Sequence, residues 1–277
     1  MNSKRLAVTA ARKAGAFLLR EFKRGHTAWK LKSTHEVVTL ADTGAERIIL
    51  ALLKKHTPSY DILSEEAGLT KHKPRPALSR LTSGLVRGSD WLWVVDPLDG
   101  TTNFTVHNPL FSVSIALYCK GEPVLGVVYA PYLNELFVAE RGQGAFLNGK
   151  RIHVSKTAKL NKAFLTYCYG QETKHMHRAV ELYRYFKLKT VDMRQLGSAA
   201  IELAWVASGR TESIVIPGTK PWDAAAGALL VNEAGGKVTD FKGKLWRFVN
   251  AKTGKISLNI DLLATNGKLH RSILNHL

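Results

Sequence analysis

The chain is poor in cysteine, poor in acid and without any long apolar run. Its 277 residues include only two cysteines, Cys119 and Cys168. No disulfide framework is needed to hold it together, and a reducing compartment, the cytoplasm, fits that usage. No stretch approaches the ~18–20 consecutive apolar residues of a membrane span, so no membrane partner is expected. Internal repeats, long low-complexity tracts and an obvious interdomain linker are absent as well. Arg12 and Lys13 interrupt the apolar stretch near the N-terminus, which therefore does not read as a secretory signal. That stretch is basic and acid-poor, as transit peptides are, but the same residues make a good domain helix. Against 40 Lys and Arg stand only 22 Asp and Glu, a net charge of +18. A field of that sign attracts anionic substrates, nucleic acid or acidic membrane without choosing among them, and a solvated basic surface is its plainest meaning.

The hydrophobic content, 45%, is ordinary for a globular chain. The length allows one large α/β domain or two intimately packed halves. We expect a single domain over 1–277, with an N-terminal half of about 1–155 and a C-terminal half of about 156–277. Leu6, Ala10, Ala14, Phe17, Leu18 and Phe22 recur at helical spacing, and Gly25 follows Lys23 and Arg24 as a stop. A second helix is predicted from Ala41 or Asp42 to just before Pro58, and a short strand from Asp61 to Ser64. Residues 110–154 alternate as strands, with turns at Gly121 and Asn148-Gly149. Further on, the spacing predicts helices over 175–187, 198–208 and 222–234 and strands over 211–216 and 262–265, followed by a terminal helix. The stretch 71–89 is basic, irregular and without acid, and reads as a mobile loop beside the mouth of a site. The pair His175 and His177 looks like a metal clip, but its polar helix face makes solvation the simpler reading.

The most informative segment runs from Trp93 to Phe104, Trp-Val-Val-Asp-Pro-Leu-Asp-Gly-Thr-Thr-Asn-Phe. The apolar run 91–95 reads as a buried strand, and it ends in two carboxylates, Asp96 and Asp99. Pro97 stiffens the backbone between them, and Gly100 permits a tight turn into Thr101 and Thr102. Oxygen ligands at a strand end suit a hard divalent cation such as Mg²⁺. Adjacent N–H donors at a turn suit a phosphate. The two together point to metal-assisted hydrolysis of a phosphate ester, although Asp-Pro-x-Asp-Gly by itself is also plain turn chemistry.

The segment closely resembles the signature of the inositol monophosphatase family, Mg²⁺-dependent and lithium-sensitive phosphatases. Three further segments are similar to the same family: residues 32–42, the pair Glu65-Glu66, and Pro221-Trp222-Asp223 through Gly227 with Glu233-Ala234-Gly235-Gly236. The resemblance implies the sugar-phosphatase fold shared with fructose-1,6-bisphosphatase, an α/β sandwich layered αβαβα with two mixed sheets, and a homodimer. It implies that Glu65, Asp96 and the carbonyl of Leu98 hold one Mg²⁺, and Asp96, Asp99 and Asp223 a second, with a weaker third cation near Glu65. Glu65 and Thr101 would position the attacking water and take its proton, and Asp42 would orient Thr101. Backbone N–H groups of Gly100 and Thr101 would bind phosphate oxygens, and Ser198, Ala199 and residue 216 would face the alcohol portion. Read locally, Asp42 is equally a helix N-cap, Glu65 a solvated strand end and Asp223 a helix cap.

The pattern departs from inositol-specific members at one position. Where they place a Glu seven residues before the Asp of the Trp-Asp pair, this chain has Ile216, which cannot accept a hydrogen bond from a ring hydroxyl. The family's Gly-Arg-x-Asp is altered to Gly209-Arg210-Thr211-Glu212, and the stretch between Glu65 and Asp96 is longer than usual. The expected activity is hydrolysis of a small phosphorylated metabolite. Inositol monophosphate comes first, followed by other sugar phosphates such as fructose 1,6-bisphosphate, then histidinol phosphate and 3′-phosphoadenosine nucleotides. The alternative of another class is an RNA- or transcription-complex-binding protein that uses its basic surface.

Overall fold

The computed structural model describes residues 1–25, 29–33, 36–71, 89–250 and 255–277. Nearly all of the basic stretch 71–89 thus lies outside the described residues, as do Thr34 and His35 of the first family-like segment.

Helix α1 (Ser3–Arg24) starts where the Asn2 side chain accepts the Arg5 N–H at 2.8 Å, and stops at Gly25 with φ 71°. Its buried stripe, including Leu6, Ala10, Ala14, Leu18 and Phe22, packs against helix α2 (Leu40–His56). Helix α2 begins slightly earlier than its spacing predicts. Thr39 is the N-cap, and Asp42 is not: it is the third helical residue of a capping box and accepts the Thr39 N–H at 2.8 Å. Ahead of α2, β1 (Trp29–Ser33) and β2 (Glu36–Thr39) form an antiparallel ribbon.

The first sheet contains β3 (Asp61–Ser64), β4 (Gly68–Thr70) and β5 (Trp91–Asp99), then, after the one-turn helix α3 (Thr101–Thr105), β6 (Ser112–Cys119), β7 (Glu122–Ala130), β8 (Glu135–Glu140), β9 (Gly144–Leu147) and β10 (Lys150–Ile152). Its order is β10-β9-β8-β7-β6-β5-β3-β4. Among the described residues of this sheet only the β3–β5 pair is parallel. The turns at Gly121 and Asn148-Gly149 fall where expected, between β6 and β7 and between β9 and β10.

The second half builds β11 (Phe164–Tyr167), α4 (Thr173–Lys187), β12 (Asp192–Arg194), α5 (Ala199–Ala207), β13 (Ser213–Thr219), α6 (Pro221–Glu233), β14 (Lys237–Thr239), β15 (Ile260–Thr265) and α7 (His270–Leu274). This sheet has the order β12-β11-β13-β15-β14, parallel among its first three strands and antiparallel at β15. Strand β13 departs from the predicted 211–216. Pro217 and Gly218 read as breakers, yet the strand passes through them by a register shift, with Gly218 at φ 71°.

Three apolar clusters define the layers. One joins α1 and α2 to the first sheet, a second wraps α5 and α6 between the two sheets, and a third packs α4 and α7 on the far side of the second sheet. The result is the expected αβαβα sandwich with two mixed sheets. The central helices fit because they are nearly free of bulk: α6 runs Ala224-Ala225-Ala226-Gly227-Ala228. A Cβ at Gly126 of β7 would come within 2.6 Å of the Ala226 carbonyl oxygen. Gly126→Ala should therefore destabilise the protein by about 1–3 kcal/mol, as overpacking does. Calorimetry should show Tm lowered by about 2–10 °C; an unchanged Tm would mean that α6 can slide away from the sheet.

His175 differs from its reading as a solvated residue on a polar face. It is 8% exposed, while His177 is exposed. A Cβ at Gly218 would meet the His175 ring at 2.2 Å, so the ring occupies space that only glycine leaves open. The two histidines do not share an environment and form no clip.

Candidate active site

Strand β5 carries the centre of the site because it is irregular. In its pairing with β6, Asp96 faces Ser114 and Asp99 faces Ser112, three residues on one strand against two on the other. Residues three apart on a regular strand point to opposite faces. The extra residue of this bulge restores the parity, so Asp96 and Asp99 reach the same side. Pro97 has no N–H to lose there. The Leu98 N–H turns away from the ladder and donates to Asp96 Oδ1 at 3.0 Å. Gly100 then turns the chain at φ 91° into α3. A Cβ at Gly100 would meet the Leu110 oxygen at 2.8 Å, so this turn requires glycine on two counts.

A cavity of about 190 Å³ opens above this turn. Glu65, Asp96, Leu98, Asp99, Gly100, Thr101, Ala199, Ile216 and Asp223 all line it, drawn from both sheets and from α6. Asp42 stands one bond behind the wall and accepts the Thr101 hydroxyl at 2.9 Å. That hydroxyl also lies 3.0 Å from the Leu98 carbonyl oxygen. Its single proton serves one acceptor at a time, so its lone pairs remain available to the cavity.

Ser198 is the one expected site residue that the structure places elsewhere. It is fully buried, caps α5 and donates its hydroxyl to Asp99. The reason is the N-terminus of α5, which is aimed at Asp99: Ala199 N–H reaches Oδ1 at 3.1 Å and Ala200 N–H reaches Oδ2 at 3.0 Å, with the Ser112 hydroxyl at 3.1 Å. Asp99 thus ties β5, β6 and α5 together.

Several further residues hold the site together. Glu46 lies one helical turn beyond Asp42 and accepts from Ser64 Oγ at 2.5 Å and from Ala67 N–H at 3.0 Å, fixing the strand end that presents Glu65. Asn103 donates to the carbonyls of Leu110 and Leu196, both at 2.7 Å, and so ties the Gly100 turn to the start of α5. Cys168, Tyr169, Gln171 and Gln195 also line the cavity.

The electrostatics are strained without counter-ions. Burial, then the charges of Glu65, Asp99 and Asp223, hold the Asp96 carboxyl well above the ordinary range. Burial pushes Asp99 up to about 6 despite its four donors, and burial raises Asp42. Among the described residues no three acidic, histidine or cysteine side chains are already drawn into a closed metal cage. The four carboxylates instead border an accessible cavity. A set made only of carboxylate and carbonyl oxygens, mutually repelling and part-desolvated, has the chemistry that Mg²⁺ neutralises.

No described helix is long and apolar enough to cross a membrane. A sequence model of a family described as "Inositol monophosphatase family" matches residues 2–277. A protein of Pasteurella multocida called Nus factor SuhB is 40% identical over 240 residues, covering 86% of this chain and 85% of that protein. A Thermotoga maritima protein called fructose-1,6-bisphosphatase/inositol-1-monophosphatase is 37% identical over 238 residues, covering 86% and 84%. The crystal structure of the extragenic suppressor protein suhB of Bartonella henselae superposes with a TM-score of 0.84 at 33% identity, covering 98% of this chain and 96% of that one.

Proposed function

The chain belongs to the inositol monophosphatase family, a family of generally Mg²⁺-dependent phosphatases, and from that membership we propose that it hydrolyses small phosphate monoesters, inositol monophosphate or a related sugar phosphate, by attack of water on phosphorus. The observation that carries this reading is the convergence of four carboxylates and the Gly100 turn on one cavity. Glu65, Asp96 and the Leu98 carbonyl would hold one Mg²⁺, and Asp96, Asp99 and Asp223 a second. Bound there, the cations would supply positive charge to the phosphate and leaving oxygens and acidify water. The Gly100 and Thr101 N–H groups would hold phosphate oxygens in line for attack. Thr101, its proton directed to Asp42, would accept a hydrogen bond from the attacking water and set its angle. Glu65 would take the water's proton. A phosphate-release screen with Mg²⁺ over inositol monophosphate, fructose 1,6-bisphosphate, histidinol phosphate and 3′-phosphoadenosine nucleotides tests the proposal. Release from none of them sinks it.

Ile216 decides what the alcohol portion meets. It is 2% exposed and lines the cavity beside Cys168 and Ala199. No charge reads ring hydroxyls from that position, so several sugar phosphates should be hydrolysed with comparable kcat/KM. Ile216→Glu should shift preference toward inositol monophosphate. A hydrogen bond to a charged group is worth ~1.5–3 kcal/mol, so the ratio of kcat/KM values should move by roughly ten- to a hundredfold. If the parent protein already prefers inositol monophosphate a hundredfold, another residue reads those hydroxyls.

A second reading rests on the net charge of +18 and on the relatives called Nus factor: the basic surface associates with RNA in a transcription complex. RNA binding that survives Asp96→Asn and falls steeply with salt would support it. Binding indifferent to salt would exclude an electrostatic surface.

A further inference from the structure

A second cavity, of about 180 Å³, lies at the opposite end of α6 from the carboxylate cluster. Asp223 is in the first turn of α6, while Asn232 and Glu233 at its last turn line this second space. Ten residues of helix separate the two ends, about 15 Å. The walls are apolar and aromatic: Leu229, Val238, Tyr118 and Trp246. Trp246 is 7% exposed and stacks obliquely near Phe248, with ring centroids 5.7 Å apart. Its indole N–H is buried and has no hydrogen-bond partner among the described residues. A buried donor left in that state costs free energy, and native proteins seldom leave one without a partner.

Two guanidiniums and two carboxylates stand at the same cavity, so its formal charges balance. Arg141 and Arg247 both line it, and Glu122 lies between them. Arg141 Nη2 meets Glu122 Oε2 at 2.7 Å, and Arg247 Nη1 meets Glu122 Oε1. One carboxylate is thus shared by two guanidiniums, each of which has five N–H donors. Glu233, the other acid in the wall, is engaged elsewhere, accepting the Gly142 and Gly144 N–H groups at 2.8 Å each. Among the charged groups, both carboxylates are engaged while the guanidiniums and the indole keep N–H groups to donate, over an aromatic floor; Asn232 adds an amide that can do either.

We propose that this cavity is a binding site for a small aromatic carboxylate, separate from the catalytic cavity. The ring would lie among Tyr118, Leu229 and Trp246, and the carboxylate would accept from the guanidiniums of Arg141 and Arg247 and from the Trp246 indole N–H. An apolar cavity of roughly 150 Å³ takes a benzene-sized molecule, so the space suits one six-membered ring with a short acidic substituent. The assignment does not depend on the proposed catalysis.

Phenylacetate is a suitable probe, with benzyl alcohol and phenethylamine as neutral and cationic controls. Binding to the full chain in EDTA is read by saturation-transfer NMR and by the rise in Tm. Phenylacetate should bind with Kd of about 1 mM or tighter, as its size allows, and at least about tenfold more tightly than either control. Arg141→Gln with Arg247→Gln should remove that preference, and Trp246→Phe, which keeps a ring and deletes the N–H, should weaken phenylacetate binding severalfold. The arginines are partly exposed, so the double variant remains informative even if Trp246→Phe fails to fold. Failure of phenylacetate to bind, equal or tighter binding of phenethylamine, or binding unchanged in the arginine double variant would each overturn the assignment.

Discussion

Asp96→Asn should lower phosphate release by about a thousandfold or more while leaving the fold intact. Asp96 is the residue assigned to bridge two cations, and a neutral amide cannot share a charge between them. Losing ~4 kcal/mol of transition-state charge stabilisation corresponds to that factor. The substitution also makes a distinctive stability prediction. Burial and the surrounding carboxylates hold Asp96 well above the usual range, and burial holds Asp99 at about 6. The folded protein then retains protons that the unfolded chain, with carboxylates near pKa ~4, has released. Between about pH 4 and 6 the native state binds more protons, so the stability of the metal-free protein falls as pH rises. Asp96→Asn removes one of the clashing charges. In EDTA at neutral pH the variant should melt at or above the parent temperature, and its loss of stability with pH should be shallower. Adding Mg²⁺ at a hundred times its Kd should stabilise the parent by ~2.7 kcal/mol, or about 5–10 °C in a chain of this size, and the variant much less. Activity within tenfold of the parent, or an equal Mg²⁺-induced rise in Tm, would remove Asp96 from the bridging role.

The parts of this site that could be read along the chain are those whose chemistry is local. The run 91–95 announces a buried strand, and Asp96, Asp99, Gly100 and Thr101 follow it in the order in which they line the cavity. Helices α1, α2 and α6 were legible because their apolar spacing and their stop signals agree with the packing. What was hidden depends on residues far apart meeting. Asn103 reaches Leu196 across 93 residues, and Glu46 reaches Ser64 across 18; Asn103 sits inside the marked segment, but nothing in it names Leu196 as the partner, and nothing near Glu46 marks that residue. Ser198 could be placed near the site by resemblance, but its bond to Asp99 follows from where the N-terminus of α5 is aimed, which only the closed fold determines. The β5 bulge is of the same kind. Its register is set by pairing with β6, so the sequence shows two carboxylates three apart without showing that they share a face. The burial of His175 is not legible along the chain, because it depends on Gly170 and Gly218 on other segments leaving room for the ring.

The hydroxyl of Thr101 is the other group whose removal should be costly. Thr101→Ala should lower kcat by ~10²–10⁴-fold, the range for loss of a group that positions a proton transfer. KM should change little, because the backbone N–H at 101 remains to hold phosphate. The fold should survive: Asp42 loses one donor at Oδ1 and keeps the Thr39 N–H and hydroxyl at Oδ2. One hydrogen bond costs about 1 kcal/mol, which is about 2–4 °C in Tm. Thr101→Ser retains the hydroxyl and should retain most of the activity, whereas Thr101→Val preserves the volume and should fail like alanine. That contrast separates orientation of water from packing, since packing alone would rank valine above serine. Asp42→Asn should act through the same hydroxyl, with a smaller loss of kcat than Thr101→Ala, because an amide oxygen can still accept it. The amide N–H₂ would then face the Thr39 N–H, so this variant should also lose capping stability of about 1 kcal/mol. If Thr101→Val keeps the parent kcat, the proton is handled without residue 101 and Glu65 must both orient the water and deprotonate it.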